Sequence, residues 1–104
     1  MSKVALFIKT KTQAGKRDEV KALWEKHLKP DAVANDKQEI YAFCFDAQDE
    51  NTLYIFEIYA DMEALQSAGQ NPAFGAYMQD AMPLLDGMPE VGTTTPLWTK
   101  GLAI

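Results

Sequence analysis

The sequence has little of the chemistry that marks disulfide, metal or membrane proteins, with one cysteine and one histidine in 104 residues. Cys44 has no second cysteine to pair with in its own chain, which is typical of a reducing compartment. A lone histidine without His-x-His or Glu-x-x-His spacing does not predict a metal site. The apolar run 4–8 is too short for a signal-peptide core or a membrane span. We therefore expect a cytoplasmic protein that makes no membrane contact.

Positive charge is also scarce. The chain carries 10 lysine and arginine side chains against 15 aspartates and glutamates, a formal net charge of −5. The lysines are spread out without forming a basic run, and an acidic surface repels phosphate, so we expect no nucleic acid partner. No glycine-rich phosphate-binding motif is present, and the sequence therefore does not predict a nucleotide cofactor.

The order of local patterns predicts a single α+β domain over residues 1–104. Runs rich in β-branched and aromatic residues predict strands at 4–11, 39–47, 53–59 and 91–98. Helical patterns separate the first strand from the second and the third from the fourth. This order is typical of a ferredoxin-like β-α-β-β-α-β fold with a four-stranded antiparallel sheet.

The predicted helices have recognisable boundaries. Apolar residues at helical spacing begin after Lys16 and continue to Pro30, which should end or kink the first helix. Residues 31–36 either extend that helix beyond the kink or form a loop. Asp61 is a suitable cap for the second helical region, and Asn71-Pro72 restarts it after Gly69. Pro83 should kink this region, and Asp86-Gly87 should end it.

The central strands are apolar on both faces. In the first strand Val4, Leu6 and Ile8 face one way, and Ala5 and Phe7 face the other. In the second strand Ile40, Ala42 and Cys44 oppose Tyr41, Phe43 and Phe45, and in the third Leu53, Ile55 and Tyr59 oppose Tyr54, Phe56 and Ile58. Helices in this topology cover only one face, and a strand with one wet face should alternate apolar and polar residues. The other face therefore needs a second cover, which is either a homodimer partner or an apolar ligand.

Several segments resemble one protein family. Phe56-Glu57-Ile58-Tyr59-Ala60-Asp61, then Ala64-Leu65 and Asn71-Pro72-Ala73-Phe74, are similar to the antibiotic biosynthesis monooxygenase (ABM) domain family. The turn Ala14-Gly15-Lys16 after the first strand and the stretch Ala81-Met82-Pro83-Leu84-Leu85 also resemble it. The resemblance implies a dimeric α+β barrel. It also implies oxidation of phenolic or quinol aromatics by molecular oxygen, with no metal, flavin or other cofactor.

The sequence departs from the family pattern at two positions. The two histidines of the family's helix motif align with Ala68 and Ala73, so any chemistry that depends on those imidazoles is absent here. Haem-degrading relatives use a helix histidine and a strand-one asparagine. The first strand has no amide side chain in its apolar run 4–8, so haem is disfavoured.

Three polar residues could carry chemistry, and each has a structural alternative. Glu57 is either a base of raised pKa in an apolar cleft or a structural carboxylate. In the second case it hydrogen-bonds to Tyr or Thr hydroxyls on neighbouring strands, or pairs with a lysine or with the partner subunit. His27 is either a proton relay at the rim of a pocket or a half-buried helix residue. We expect Cys44, between two phenylalanines, to be a buried small hydrophobic residue and not a reactive thiolate.

The predicted site combines these residues with aromatic and thioether side chains. We expect Glu57, Tyr59 and Tyr41 to be catalytic, with the tyrosines as hydrogen-bond donors. The predicted substrate-binding residues are Phe74, Tyr77, Met78, Met82, Trp98, Phe43 and His27. The predicted function is cofactor-independent oxygenation of a small aromatic, phenolic or quinol compound. The alternatives are a dimer that binds an apolar metabolite without catalysis, and an isomerase or lyase that uses Glu57 to abstract a proton.

Overall fold

Four antiparallel strands form one sheet in the computed structural model, which describes residues 2–104. The strands are β1 (Val4–Lys11), β2 (Gln38–Phe45), β3 (Thr52–Tyr59) and β4 (Glu90–Thr94), in the spatial order β2-β3-β1-β4. The helices are α1 (Arg17–His27), α2 (Lys29–Ala34), α3 (Met62–Gly69) and α4 (Pro72–Ala81), followed by a 3-10 turn at Met82–Leu84. The predicted α+β, ferredoxin-like fold is confirmed.

Strand register places a polar residue in the middle of the helix-covered face. Leu6 of β1 lies opposite Glu57 of β3, and Glu57 lies opposite Tyr41 of β2. Ile8 lies opposite Ile55, two residues further along both strands. Because side chains alternate along a strand, all five project to the same side of the sheet. Glu57 is thus flanked by residues of both neighbouring strands.

Side-chain caps start two of the helices where the sequence predicted them. The Asp61 carboxylate accepts a hydrogen bond of 2.8 Å from the backbone N–H of Ala64 at the start of α3. The Asn71 side-chain oxygen accepts one of 2.8 Å from the N–H of Ala73 at the start of α4. Pro72 occupies the first turn of α4, where its missing N–H is no loss. Both predicted starts are confirmed.

Prolines interrupt both helical regions. α1 ends at His27, and Pro30 lies in the first turn of the short helix α2, where proline is tolerated. The open choice for residues 31–36 is therefore resolved as helix up to Ala34. Pro83 lies in the 3-10 turn that follows α4, so the predicted break in this region is also present.

The main core joins α1 and α4 to the sheet. Val20, Leu53 and Ala81 are fully buried at its centre, and Ile55 and Tyr77 are almost as buried. At about 25 cal/mol per Å² of apolar surface removed from water, such burial supplies most of the folding free energy. This core fixes the distance between α4 and the sheet, and hence the width of any space between them.

The predicted fourth strand is too long. β4 ends at Thr94, and Thr95–Trp98 leave the sheet. Pro96 has no N–H to give to a strand ladder, so pairing stops just before it. Trp98 consequently lies outside the sheet with 77% of its surface exposed.

The face of the sheet opposite the helices is apolar and partly uncovered in the single chain. Phe7 and Tyr54 are 54% and 39% exposed on this face. Phe7 contacts Phe56 with 4.8 Å between ring centroids. Cys44 lies opposite Tyr54 and is exposed, so the expectation of a buried cysteine is wrong for the single chain. Cys44 projects from the open face, where no helix of the same chain covers it.

Candidate functional site

A cavity of about 370 Å³ lies between the helix-covered face of the sheet and helices α2 and α4. The sheet contributes Tyr41, Ile55 and Glu57, and α4 contributes Phe74 and Tyr77. Sites for small molecules in proteins typically occupy about 300–1,000 Å³ and are mostly apolar with a few polar groups. The cavity has the size and composition of such a site.

Two side chains donate hydrogen bonds to the same oxygen of Glu57. The Tyr59 hydroxyl donates to Glu57 Oε1 at 2.5 Å, and Gln38 Nε2 donates to the same atom at 2.8 Å. Gln38 Nε2 also lies 2.8 Å from the Tyr59 hydroxyl oxygen, so the three side chains form a closed triangle. This triangle fixes the orientation of the carboxyl group.

The second oxygen of Glu57 is available to the cavity. Both protein hydrogen bonds end on Oε1, and within residues 2–104 no fully buried side-chain oxygen lacks a partner. Oε2 has no protein partner, so it is not fully buried, although Glu57 as a whole is only 6% exposed. Glu57 lines the cavity, and of its two oxygens only Oε1 has hydrogen-bond partners among the described residues.

Burial changes the acidity of Glu57. Removal from water raises the pKa of this carboxyl, and the hydrogen bonds from Tyr59 and Gln38 only partly oppose that rise. Burial together with the hydrogen bond to Glu57 raises the pKa of Tyr59 as well. The proton of Tyr59 is therefore committed to Glu57 and is not available to a ligand, which differs from the predicted donor role.

Tyr41 is the second polar group on the sheet side of the cavity. Its hydroxyl oxygen accepts a hydrogen bond of 2.9 Å from the indole N–H of Trp24 on α1. Burial and the negative charge of Glu57 raise the pKa of Tyr41, so this hydroxyl stays protonated at neutral pH. Tyr41 can therefore donate a hydrogen bond into the cavity.

Tyr77 brings a third hydroxyl to the cavity, from α4. Burial raises the pKa of Tyr77 to about 12. Its ring belongs to the main core, while the residue as a whole lines the cavity. The donors and acceptors of the cavity are thus held on rigid elements, on both the sheet side and the helix side.

The cavity lining carries negative charge only. Glu57 and Asp31 are its two ionisable acids, and no lysine, arginine or histidine lines it. Asp31 Oδ1 accepts a hydrogen bond of 2.9 Å from Asn71 Nδ2, which ties α2 to the start of α4. An anionic ligand would meet no counter-charge here, so the cavity suits a neutral or cationic molecule.

The structure brings six of the predicted site residues to the cavity. They are Glu57, Tyr59, Tyr41, Phe74, Tyr77 and Met78. Met82 and Phe43 do not line it, and both pack against the core. Trp98 is far more exposed than a pocket wall would be, since β4 ends before it.

The predicted role of His27 at a pocket rim has no support in the geometry. Its Nε2 atom lies 2.9 Å from Asp80 Oδ2, which joins the end of α1 to α4 on the protein surface. The ring does not line the cavity. His27 thus matches the structural alternative, a half-buried helix residue near a helix C-terminus.

Sequence reasoning missed Gln38 and Trp24, which hold the polar groups of the cavity in place. Simple alternation from Tyr41 would put Glu39 opposite Tyr59, but a register shift between Gln38 and Ile40 puts Gln38 there instead. The same shift leaves Glu39 free to pair with Lys3. No local sequence signal marks such a bulge.

Across residues 2–104, no group of three or more histidine, cysteine, aspartate or glutamate side chains is placed to hold a metal ion. None of the helices in the described part of the chain has the length and apolarity needed to cross a membrane.

Comparison with known proteins identifies the family. The model of the antibiotic biosynthesis monooxygenase family matches residues 3–80, which is more than half of the chain and includes β1 to β3 and most of α4. The chain belongs to this family. The matched region contains the Glu57, Tyr59 and Tyr41 cluster, and this result confirms the resemblance seen in the sequence. No curated protein gives a significant match.

Solved structures share the fold of this ABM-family chain. A candidate antibiotic biosynthesis monooxygenase from Caulobacter crescentus has a TM-score of 0.86 at 18% identity, with 93% of this chain and 92% of the other covered. A protein from Mycobacterium tuberculosis has a TM-score of 0.84 at 24% identity, covering 96% and 100%. A candidate monooxygenase from Chloroflexus aurantiacus reaches 0.82 at 20% identity, covering 98% and 100%. At these identities the likeness establishes the fold.

Proposed function

We propose that this protein is a cofactor-independent monooxygenase that acts on a small phenolic or quinol aromatic compound. Membership of the ABM family supports the reaction class. The observation that carries the substrate class is Glu57, a buried carboxylate that lines a mostly apolar cavity. A mostly apolar cavity with a buried carboxylate on its sheet side matches an aromatic molecule that has an acidic hydroxyl.

Glu57 is the base in this proposal. A general base is most effective when its pKa is close to the working pH, and burial moves the pKa of Glu57 upward in that direction. Tyr59 and Gln38 hold Oε1, so that Oε2 can take the proton of a substrate hydroxyl. The aromatic side chains of Phe74 and Tyr77 form the wall against which the substrate ring packs.

The subsequent oxidation needs no electron source besides the substrate. The phenolate gives one electron to dioxygen, and the two resulting radicals combine to form a carbon–oxygen bond para to the hydroxyl. Where that carbon bears one hydrogen in the phenolate, as in the enol form of an anthrone, the peroxide takes back the proton held by Glu57 and then loses water, which leaves a carbonyl. One oxygen atom enters the product and the other leaves as water, so the substrate supplies all four electrons. The protein contributes orientation and exclusion of water.

A homodimer belongs to the same proposal. The exposed Phe7 and Tyr54 lie on the open face of the sheet with Phe56, and aromatic side chains bury about 150–250 Å² each. A second copy packed against this face would remove them from water. A cytoplasmic location for this dimer remains a prediction from the sequence.

Binding without catalysis is the second candidate function, and one observation favours it. Ala68 lines the cavity at a position where the family motif has a histidine. None of the lining residues is a histidine, so proton transfer in this cavity depends on Glu57 and the tyrosines. A cavity with this lining could hold an apolar metabolite without transforming it.

Oxygen uptake with a panel of anthrones and quinols tests the proposed function. We expect uptake by the wild-type protein, and a loss of at least about 100-fold in the Glu57→Gln variant because general-base catalysis is typically worth that much. The rate should rise with pH as Glu57 loses its proton, with a midpoint above the ordinary pKa of a glutamate. Glu50→Gln, at an exposed position before β3, is the matched control and should leave the rate unchanged.

Three results would contradict the proposal. Uptake that is equal in the wild-type protein and Glu57→Gln would remove Glu57 from the chemistry. Tight binding of an aromatic compound with no uptake would favour the binding protein. Exchange of a substrate proton with solvent, without oxygen consumption, would indicate the isomerase or lyase.

A further inference from the structure

Within the described part of the chain, the Tyr41 hydroxyl group uses its oxygen in a hydrogen bond within the protein but does not use its proton in one. Its oxygen accepts the indole N–H of Trp24 at 2.9 Å. Within residues 2–104 its own proton has no protein acceptor, and Tyr41 lines the cavity. A hydroxyl with one lone pair engaged has a restricted choice of directions for its O–H bond. The contact with Trp24 therefore biases the O–H of Tyr41 toward the cavity.

Trp24 is itself held firmly by its neighbours. Its ring stacks on Phe43 with 4.4 Å between centroids and an angle of 25° between planes. Its ring centroid lies 5.7 Å from that of Tyr41. Trp24 also packs against the core cluster that joins α1 to the sheet. The indole N–H is thus a fixed donor and not a mobile one.

The acceptor that complements Tyr41 is on the adjacent strand. Tyr41 and Glu57 are direct cross-strand partners on the same face of the sheet, where side chains are close neighbours. Glu57 offers the free oxygen Oε2, and Tyr41 offers a free proton. One hydroxyl group placed between them can donate to Glu57 and accept from Tyr41 at the same time. Neither a methyl group nor a carboxylate can satisfy both contacts.

We propose that Trp24 is a positioning residue that aims the Tyr41 hydroxyl at the ligand oxygen held by Glu57, so that the cavity selects neutral hydroxylated aromatic molecules. This inference rests on the proposed role of the cavity as the ligand site. Tyr41 supplies the hydrogen bond that stabilises negative charge on the oxygen after Glu57 has taken its proton. Trp24 acts only through Tyr41, because the indole N–H is already used in that contact.

The test compares two probes of almost equal shape, 2-naphthol and 2-methylnaphthalene, by isothermal titration calorimetry without oxygen. For the wild-type protein we expect 2-naphthol to bind about tenfold more tightly, since a satisfied hydrogen bond is worth about that factor. Tyr41→Phe should remove most of this preference. Trp24→Phe, which keeps an aromatic ring against Phe43, should reduce the preference several-fold while binding of 2-methylnaphthalene changes less than about twofold.

A double variant separates positioning from packing. If Trp24 acts through Tyr41, the Trp24→Phe/Tyr41→Phe chain should show the same preference as Tyr41→Phe alone, because the two effects do not add. Trp98→Phe is the matched control, since Trp98 is exposed and lies outside the cavity lining. It should leave the binding of both probes unchanged.

Several outcomes would overturn the inference. An unchanged preference in Trp24→Phe, or an equal loss of affinity for both probes, would reduce Trp24 to a packing residue. Should Trp24→Phe fail to fold, the benzothienylalanine isostere of Trp24 replaces the indole N–H with sulfur at nearly constant shape and gives the same comparison. Failure of both probes to bind would overturn this inference and the proposed function together. Binding with the expected preference but no oxygen uptake would overturn the proposed oxygenation alone.

Discussion

The pKa of Glu57 is set mainly by burial and not by a neighbouring cation. Two donors stabilise its charged form, yet the pKa is still raised because the loss of water outweighs both hydrogen bonds. Both donors act on Oε1, so they orient the group without neutralising its charge. A carboxylate in this setting is a stronger base than one at the surface, and it makes the folded protein less stable when it is ionised.

The stability of a Glu57→Gln variant checks this account. The folded protein binds the Glu57 proton more tightly than the unfolded chain does. Stability from this group is therefore fully present below about pH 4, the unfolded pKa, and is lost as pH rises through the higher folded pKa. The substituted amide keeps an acceptor for Tyr59 and Gln38 but carries no charge. We expect the variant to exceed the wild type in free energy of unfolding at pH 8, and this excess should disappear as the pH falls to about 4.

Urea denaturation at several pH values measures this difference. The exposed substitution Glu50→Gln should show no comparable dependence on pH. A Glu57→Gln variant that is clearly less stable than the wild type at pH 8 would mean that the fold stabilises the carboxylate, and the direction given for its pKa would then be wrong.

Individual site residues differ in how far the sequence could predict them. Glu57 is recognisable because it interrupts the apolar pattern of β3, and alternation alone places it on the same face as Ile55 and Tyr59. Its position opposite Tyr41 depends on the strand register, which alternation does not give. Gln38 is not recognisable, because a bulge in β2 moves it onto that face in place of Glu39. Trp24 falls within the apolar helical pattern between Lys16 and Pro30, but a hydrogen bond from a helix to a strand depends on packing distances that this spacing does not give.

At the scale of elements, the cavity depends on how α2 is attached to α4. Asn71 makes two hydrogen bonds, one that caps α4 and one of 2.9 Å from its Nδ2 atom to Asp31 on α2. α2 has only six residues and none of them is buried, so few other contacts hold it in place. Short helices are marginal without tertiary support. We infer that Asn71 keeps α2 against the cavity.

Substitution of Asn71 tests this link, with Asp61 as the matched cap. Asn71→Ala and Asp61→Ala should each cost about 1 kcal/mol of stability for the lost cap. Only Asn71→Ala should also speed amide hydrogen exchange in residues 29–34, because only Asn71 holds Asp31. Asn71→Ser keeps a capping oxygen and should speed exchange in α2 with little loss of stability. Equal exchange in α2 for Asn71→Ala and Asp61→Ala would show that the contact does not hold the helix.

Elements with strong local sequence signals were predicted well. The end of a strand was predicted poorly where it depends on pairing with the neighbouring strand. β1 was predicted residue for residue, since Val4 to Lys11 is bounded by a clear turn at Gly15. The fourth strand was predicted four residues too long, because its threonine-rich pattern continues beyond the point where Pro96 prevents pairing. A propensity pattern shows where a strand can form, whereas its end depends on whether the neighbouring strand can still pair with it.

At the scale of the whole molecule, the apolar pattern on both faces of the sheet was visible in the sequence. The structure shows one face covered by helices and the other with Phe7 and Tyr54 exposed in the single chain. An apolar surface of this kind is typical of a protein–protein contact. The exposed Cys44 on the same face is consistent with this interpretation, because cysteine is usually buried. A partner that is itself a copy of the chain would cover all of these residues.

The oligomeric state tests this last prediction directly. Light scattering at micromolar concentration should give about twice the chain mass of 11.6 kDa. Phe7→Glu places a charge in the middle of the open face and should shift the protein to the monomer, because an unpaired buried charge costs several kcal/mol. The control variant Val33→Glu alters an apolar residue on α2, away from the sheet, that has 79% of its surface exposed. This variant should remain dimeric. A wild-type protein that is monomeric at this concentration would leave the aromatic face without its expected cover, and the proposed barrel would have to be abandoned.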